Sequence, residues 1–412
     1  MDPIRQHGRV LTASLVGTAV EFYDFYIYAT AAALVIGPLF FPTESEAAQT
    51  LLSFMTFGLA FFARPVGAIA FGHFGDRIGR KSTLVASLML MGGSTFLIAF
   101  LPTYAMVGWV APALLCLLRF GQGFGLGGEW GGASLLAVEN APKGWEARFG
   151  SAPQLGAPLG FLFANGLFLL LGKGLSDADF AAWGWRVPFL ASALLVGLGL
   201  WVRLKIGETP AFREALEKAE PAKVPVGLLF RNHLGAVLAG IAGVVACFAI
   251  FYLATTFALS FATTRLGYAK QEFLSVQLGA NTFLALGILV AGYWADKASA
   301  RRVLGTGAAL TIIVGMLFGT GLGSASLPVV FATLASALFV MGLAYGPLDP
   351  VEVRYTGISV AFNMGGIIGG ALAPFAAAWL AGIGGTAYVG LFLTLAGAMT
   401  LAGVQFSPKL RD

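Results

Sequence analysis

Charge is scarce in this sequence. Only 11% of its 412 residues are Asp, Glu, Lys or Arg, while 58% are hydrophobic. A soluble domain carries about 25% charged residues, so a water-soluble globular protein is excluded and a polytopic membrane protein is predicted. Two cysteines, Cys116 and Cys247, both inside apolar runs, exclude a disulfide framework. Three widely separated histidines, His7, His73 and His233, have no neighbours at metal-ligand spacing. No nucleophile and base stand together near a membrane interface, so the chain is predicted to be no enzyme and to need no cofactor or metal. No cleavage site follows the first apolar run, which reads as a retained span.

Apolar runs long enough to cross a hydrocarbon core of about 30 Å as helices recur along the chain. Turn residues and charge clusters delimit twelve spans, at approximately 11–38, 50–74, 83–101, 106–136, 148–171, 185–206, 233–262, 272–295, 303–323, 327–346, 354–381 and 386–406. With the N-terminus cytoplasmic, the cytoplasmic ends and loops hold 19 Lys and Arg against four outside. That asymmetry predicts both termini in the cytoplasm. It also accounts for the net charge of +5 without a nucleic-acid partner. The longest hydrophilic stretch, 207–232, is expected to link an N-terminal six-helix bundle (1–206) to a C-terminal one (233–412).

The halves are repeats. GHFGDRIGRKSTL at 72–84 aligns without a gap with GYWADKASARRVL at 292–304, an offset of 220, and QLGAPLG at 154–160 aligns with NMGGIIG at 363–369. Two parallel six-helix repeats with a substrate site between them near the midplane form a known transporter architecture.

The segment with Gly72, Gly75, Asp76, Arg77, Gly79, Arg80 and Lys81, placed after the second of twelve spans, resembles the signature loop of the major facilitator superfamily. EFYDFYIYATAAAL in the first span, LLRFGQGFGLGGEWGGASLLAVENAP in the fourth, GSAPQLGAPLG in the fifth, WGWRVPF before the sixth and VRYTGISVAFNMGGIIGGALAP around the eleventh resemble the metabolite:proton symporter family. The resemblance implies an all-α integral membrane fold of two pseudo-symmetric six-helix bundles and transport of α-ketoglutarate, citrate, shikimate or related acids, or of proline and betaine. It also implies that the signature loop is a conformational latch, whose second copy keeps Asp296, Arg301 and Arg302 but has Ser299 and Ala300 where glycine and arginine are expected. In one departure, only Leu348 and Asp349 stand between Pro347 and Pro350, where members of the family usually carry several more residues.

The residues themselves point to a proton-coupled anion site. Gly17, Glu21, Asp24 and Tyr28 fall on one face of the first span. An ionised residue at the bilayer centre costs about 2.5–3.5 kcal/mol on insertion scales, so this face is expected to look into a cavity and to meet Arg64 of the second span and Arg119 of the fourth. An anionic substrate would take one or both arginines, and a carboxylate so released would bind the co-transported proton, whose uptake a low dielectric favours. A static salt bridge tethering the first span is the competing role for Glu21 and Asp24, and packing or gating competes for Arg64. Arg119, with Gln122 and Trp130 on its stripe, is the stronger candidate for direct substrate contact. Tyr28, Gln154, Asn165, Tyr252, Gln277 and Asn281 are further candidates, with interhelical hydrogen bonding the commoner role for such residues. Glu129 and Glu139 are expected to pair with Arg80 or Arg148, and His73 to pack at the latch. Of Phe22, Tyr23, Phe25 and Tyr26, at least half are expected to face lipid. The fourth-span glycines read as close helix packing.

The predicted function is proton-coupled import of a small mono-, di- or tricarboxylate by alternating access, the chain working as a monomer in the inner membrane. The alternatives are a proline or betaine symporter, against which the two intramembrane arginines count, and a receptor of the same fold that binds without transporting.

Overall fold

The computed structural model describes residues 7–43, 45–78, 80–127, 137–138, 141–206, 234–324, 326–346 and 355–406, with backbone alone at 9–10, 72–84, 202–206 and 355–359. In a bilayer every backbone polar group must be satisfied within the chain, and helices do so locally. Eleven helices are long and apolar enough to cross a membrane, and a shorter apolar helix, Val85–Ile98, completes the twelve. They are α1 (Leu11–Phe40), α2 (Glu46–Phe71), α3 (Arg80–Ile98), α4 (Val110–Gly127), α5 (Glu146–Gly174), α6 (Gly184–Trp201), α7 (Leu234–Thr264), α8 (Lys270–Lys297), α9 (Ala300–Leu322), α10 (Leu327–Tyr345), α11 (Val360–Gly384) and α12 (Thr386–Phe406). The fourth span starts later than its apolar run suggests. Gly108 has a φ of 61° and cuts the separate turn Tyr104–Val107 away from α4. The linker 207–232 and the shortened segment 347–354 lie outside the described residues.

The packing repeats as the sequence does. In the first half α1 packs on α5 and α6, α2 on α4, and α3 on α4 and α6; in the second α7 packs on α11 and α12, α8 on α10, and α9 on α10 and α12. The halves meet along two seams, α5 against α8 and α2 against α11, which the repeat relates to each other. Glycine permits the tightest crossings. A Cβ on Gly127 of α4 would come within 2.1 Å of the Arg64 carbonyl oxygen in α2, and one on Gly342 of α10 within 2.7 Å of Gly287 in α8. The repeat also runs through α1 and α7, where the packing of α5 and α11 aligns FYDFY at 22–26 with FAIFY at 248–252.

Outward faces are apolar: Leu117, Phe163, Leu170, Leu194, Met316 and Leu395 are all more than half exposed. Burial of polar groups is the inverse of this. Asp24, Arg119, Gln122 and Asn165 are each 0% exposed, so the polar chemistry lies inside the bundle and the apolar side chains face outward, as lipid requires.

Candidate functional site

α1 is the hub of the site, with 78% of its apolar window buried. Its polar side chains reach every helix around it. The Tyr23 hydroxyl donates to the Pro188 carbonyl of α6 at 2.9 Å, and Thr30 donates to Asn165 Oδ1 of α5 at 2.7 Å. The Tyr28 hydroxyl lies 2.6 Å from Thr56 Oγ1 of α2, while Thr56 itself donates to Ser53 O at 2.7 Å. A hydroxyl has one proton to give, so Tyr28 donates to Thr56. A π turn spans Ala32–Ile36, and the Ala32 carbonyl at its start accepts from Ser53 Oγ at 2.6 Å.

Arg119 is locked into the first half. The close approach of α4 to α2 at Gly123 and Gly127 brings its guanidinium to the α2 backbone. Nη2 donates to Phe57 O at 2.9 Å, Nε donates to Thr56 O at 3.3 Å, and Nη1 donates to Gln122 Oε1. Its carbon lies 3.7 Å from the centre of the Tyr28 ring. Gln122 in turn donates to the Asp24 carbonyl at 2.9 Å. Arg119, Gln122, Tyr28 and Asp24 therefore form one buried unit, in which Arg119 already spends three donors on the protein.

Arg64 stands differently. It is 7% exposed, with Phe25 and Phe61 rings at 4.5 and 4.4 Å from its guanidinium carbon. Its Nε has no hydrogen-bond partner among the described residues. Glu21 and Tyr26 of the first half and Tyr252 of the second lie within electrostatic reach of it. This is the seam between the halves, and aromatic rings line it. Tyr26 stacks on Phe251 at 4.7 Å, and Tyr252 meets Phe57 at 5.0 Å and Phe61 at 5.7 Å. Phe161 closes the group at 5.7 Å from Phe251. Three of the four first-span aromatics, Tyr23, Phe25 and Tyr26, are thus buried at 2% exposure and do not face lipid; helix–helix contact surrounds nearly all of α1.

Of the further candidates, Asn165 is held by Thr30 and by its own donation to Phe161 O at 3.3 Å. Gln277 binds the Ala254 and Thr255 carbonyls at 2.9 and 2.7 Å, which joins α8 to α7. Asn281 crosses the seam to donate to Pro158 O at 2.8 Å, and its Oδ1 lacks a partner among the described residues. Gln154 is buried beside the break at Leu155 that divides α5. Sequence reasoning passed over Tyr345, the last residue of α10, although a tyrosine amid an otherwise apolar helix is a signal. Its buried hydroxyl has no partner among the described residues. Tyr252 and Glu21 lie within electrostatic reach of it.

At the end of the bundle where α5 begins, Asp296 of α8 binds the first turn of α5. It accepts the Ala147 N–H at 2.8 Å, the Arg148 N–H at 3.2 Å and Arg148 Nε at 2.5 Å. Arg148 therefore pairs with Asp296; Glu129 and Glu139, expected to pair with Arg80 or Arg148, lie outside the described residues. Arg301 donates to Gln405 O of α12 at 2.6 Å, and the Arg302 N–H bonds Ser299 Oγ at 3.3 Å as a helix cap. The side chains of Gly72, His73, Gly75, Asp76, Arg77, Gly79, Arg80 and Lys81, like Trp130, fall outside the description. At the opposite end Gln271 donates to Gly172 O at 2.7 Å and Lys270 lies 3.7 Å from Asp177, so both ends of the α5–α8 seam are bridged.

Residues 10–225 match the family model of sugar (and other) transporters. The chain is 46% identical to the inner membrane metabolite transport protein YhjE of Escherichia coli K12, over 99% of this chain and 96% of that one. It belongs to this transporter family. It is 37% identical to the shikimate transporter of Escherichia coli K12, over 90% of this chain and 87% of the relative. The major facilitator superfamily proton:xylose symporter XylE, from E. coli, shares the fold with a TM-score of 0.70 at 16% identity, over 97% of this chain and 95% of that one. The chain is thus a multi-pass membrane transporter of metabolites with the twelve-helix major facilitator fold, and not an enzyme.

Proposed function

We propose that this transporter imports a small organic acid together with a proton, by alternating access of its two halves. The single observation that carries the reading is Arg64: a buried guanidinium at the seam, with an unpartnered Nε and with Glu21 in electrostatic reach. An arriving carboxylate takes Arg64 and displaces its interaction with Glu21. The released glutamate binds a proton, since an uncompensated charge in a low dielectric is costly. Only then do the halves rock. Arg119 holds α1, α2 and α4 in register and adds positive potential, and the geometry favours Arg64 over it for direct contact. Asp24, sealed at 0% exposure, contributes to local charge balance and is second to Glu21 as proton carrier.

The positive-inside asymmetry of the loops supports a cytoplasmic placement of both termini and of the Arg148–Asp296 bridge. One chain carries both halves, which supports a monomer as the working unit. The organic acid named for the shikimate relative falls in the same chemical class.

The test is uptake into proteoliposomes of labelled α-ketoglutarate, citrate, shikimate and glycine betaine, with and without an inward proton gradient. Accumulation of an acid only with the gradient is the expected result. Betaine uptake would replace the anion reading, and binding without accumulation would make the protein a receptor.

A further inference from the structure

The site that the proposed function invokes is narrower than "organic acid", and the following rests on that reading. Among the described residues its intramembrane formal charges are Glu21, Asp24, Arg64 and Arg119, and in the second half no span carries an Asp, Glu, Lys or Arg away from its ends. These four sum to zero. A monocarboxylate arriving with one proton leaves the sum unchanged, whereas each further carboxylate requires another proton or a buried charge without a counter-charge. The anchoring capacity agrees with this count. Arg119 has three donors committed to Thr56, Phe57 and Gln122. Phe25 and Phe61 lie together on one side of the Arg64 guanidinium, 4.5 and 4.4 Å from its carbon and 4.9 Å from each other, and the edge of one guanidinium matches one carboxylate.

Tyr345 supplies the complementary group from the other half. Its hydroxyl is buried and without a partner among the described residues. It shares Tyr26 and Tyr252 with Arg64 as electrostatic neighbours, and Glu21 lies within reach of both. The remaining wall is aromatic: Tyr26, Phe57, Phe161, Phe251 and Tyr252 in mutual ring contact. Aromatic walls favour flat rings, by offset or edge-to-face packing, over flexible polyacids whose body is polar.

We infer that the transported acid is a monocarboxylate built on a flat ring, its carboxylate bridging Arg64 of the first half and Tyr345 of the second, its ring against Tyr26, Phe251 and Tyr252. A ligand that spans the seam also explains how occupancy is sensed by both halves at once.

The experiment is equilibrium binding to the purified full-length protein of four probes: 3,4-dihydroxybenzoate, phthalate, succinate and citrate. The ring monocarboxylate is expected to bind at least roughly tenfold more tightly than the others, and Tyr345→Phe to weaken it by roughly tenfold, the effect of one hydrogen bond to a charged group. Tyr23→Phe, whose hydroxyl serves Pro188 instead, is expected to leave the order of affinities unchanged. In proteoliposomes, gradient-driven uptake of 3,4-dihydroxybenzoate is expected to be insensitive to an imposed membrane potential, because acid and proton move together. Equal or tighter binding of phthalate, succinate or citrate overturns the inference, as does an unchanged affinity in Tyr345→Phe or binding of none of the four. The outcomes separate the two claims: gradient-driven accumulation of citrate or succinate refutes the ring monocarboxylate and leaves proton-coupled acid import standing, while absence of any gradient-driven acid uptake refutes the latter.

Discussion

Arg148 of α5 and Asp296 of α8 hold the two halves together at one end of the bundle: Nε lies 2.5 Å from Oδ2, and the same carboxylate accepts two backbone N–H groups of the α5 first turn. An acidic group at a helix N-terminus gains from the helix dipole as well as from its bonds. Asp296 is 2% exposed and Arg148 26%, so the pair is partly screened. Asp296→Asn is expected to weaken closure by about 1–2 kcal/mol, a shift of about 5- to 30-fold in the population open at that end. Labelling of a cysteine introduced at Ser151, in a chain without Cys116 and Cys247, reads the change; an unchanged rate would mean that this bridge does not set the equilibrium.

Gly123 is expected to tolerate no side chain. A Cβ there would stand 2.0 Å from the Ala60 carbonyl oxygen, so Gly123→Ala must push α4 off α2 and draw Arg119 away from the Thr56 and Phe57 carbonyls. Overpacking of this kind costs about 1–3 kcal/mol. Thermal unfolding in detergent should show a lower midpoint for Gly123→Ala, while Gly93→Ala, with nothing within 4 Å of its Cβ position, should match the parent.

Arg119→Lys keeps the charge and loses the fork that serves Thr56, Phe57 and Gln122. Buried bonds to a charged group are worth about 1.5–3 kcal/mol, so this substitution should lower both stability and uptake. Tyr28→Phe keeps the ring beneath Arg119 and removes only the bond to Thr56, for a loss of about 1 kcal/mol. If Arg119→Lys transports at the parental rate and melts at the parental temperature, the clamp role is wrong.

Glu21→Gln is expected to abolish accumulation driven by a proton gradient but to leave substrate exchange across the membrane intact, because a permanently neutral side chain mimics the protonated carrier. Counterflow assays separate these two activities. Asp24→Asn, at a residue closed off from water in this state, should lower both together. A Glu21→Gln transporter that still accumulates against the gradient would exclude Glu21 as the proton carrier.

The twelve spans, their pairing into two repeats and the buried charges of α1, α2 and α4 were legible in the sequence, since each follows from hydropathy, charge or internal similarity. The division of labour between the arginines was not. Arg64 and Arg119 look alike as isolated charges, and only the approach of α4 to α2 through Gly123 shows that Arg119 is consumed by backbone carbonyls. Tyr345 stood out only as a tyrosine in an apolar helix: it has no periodic partner in its own span, and the groups within electrostatic reach of it, Glu21, Tyr26, Cys247 and Tyr252, come from α1 and α7. The alignment of α1 with α7 was hidden because Glu21 and Asp24 stand where α7 has Cys247 and Ile250.

That last substitution has a mechanical consequence. Because α7 to α12 carry no charged side chain away from their ends, the protein ion pairs between the halves stand at the ends of the bundle, Arg148 with Asp296 and Lys270 with Asp177, and the second half brings none into the membrane interior to be strained when it tilts across the first. The moving surface behaves as a neutral bearing of rings and methyl groups, and the charge it slides over is fixed to the other half. Away from those end pairs, the electrostatic part of the barrier to tilting is then set by the cargo and its proton, so an incompletely neutralised site adds its own resistance in the middle of the membrane.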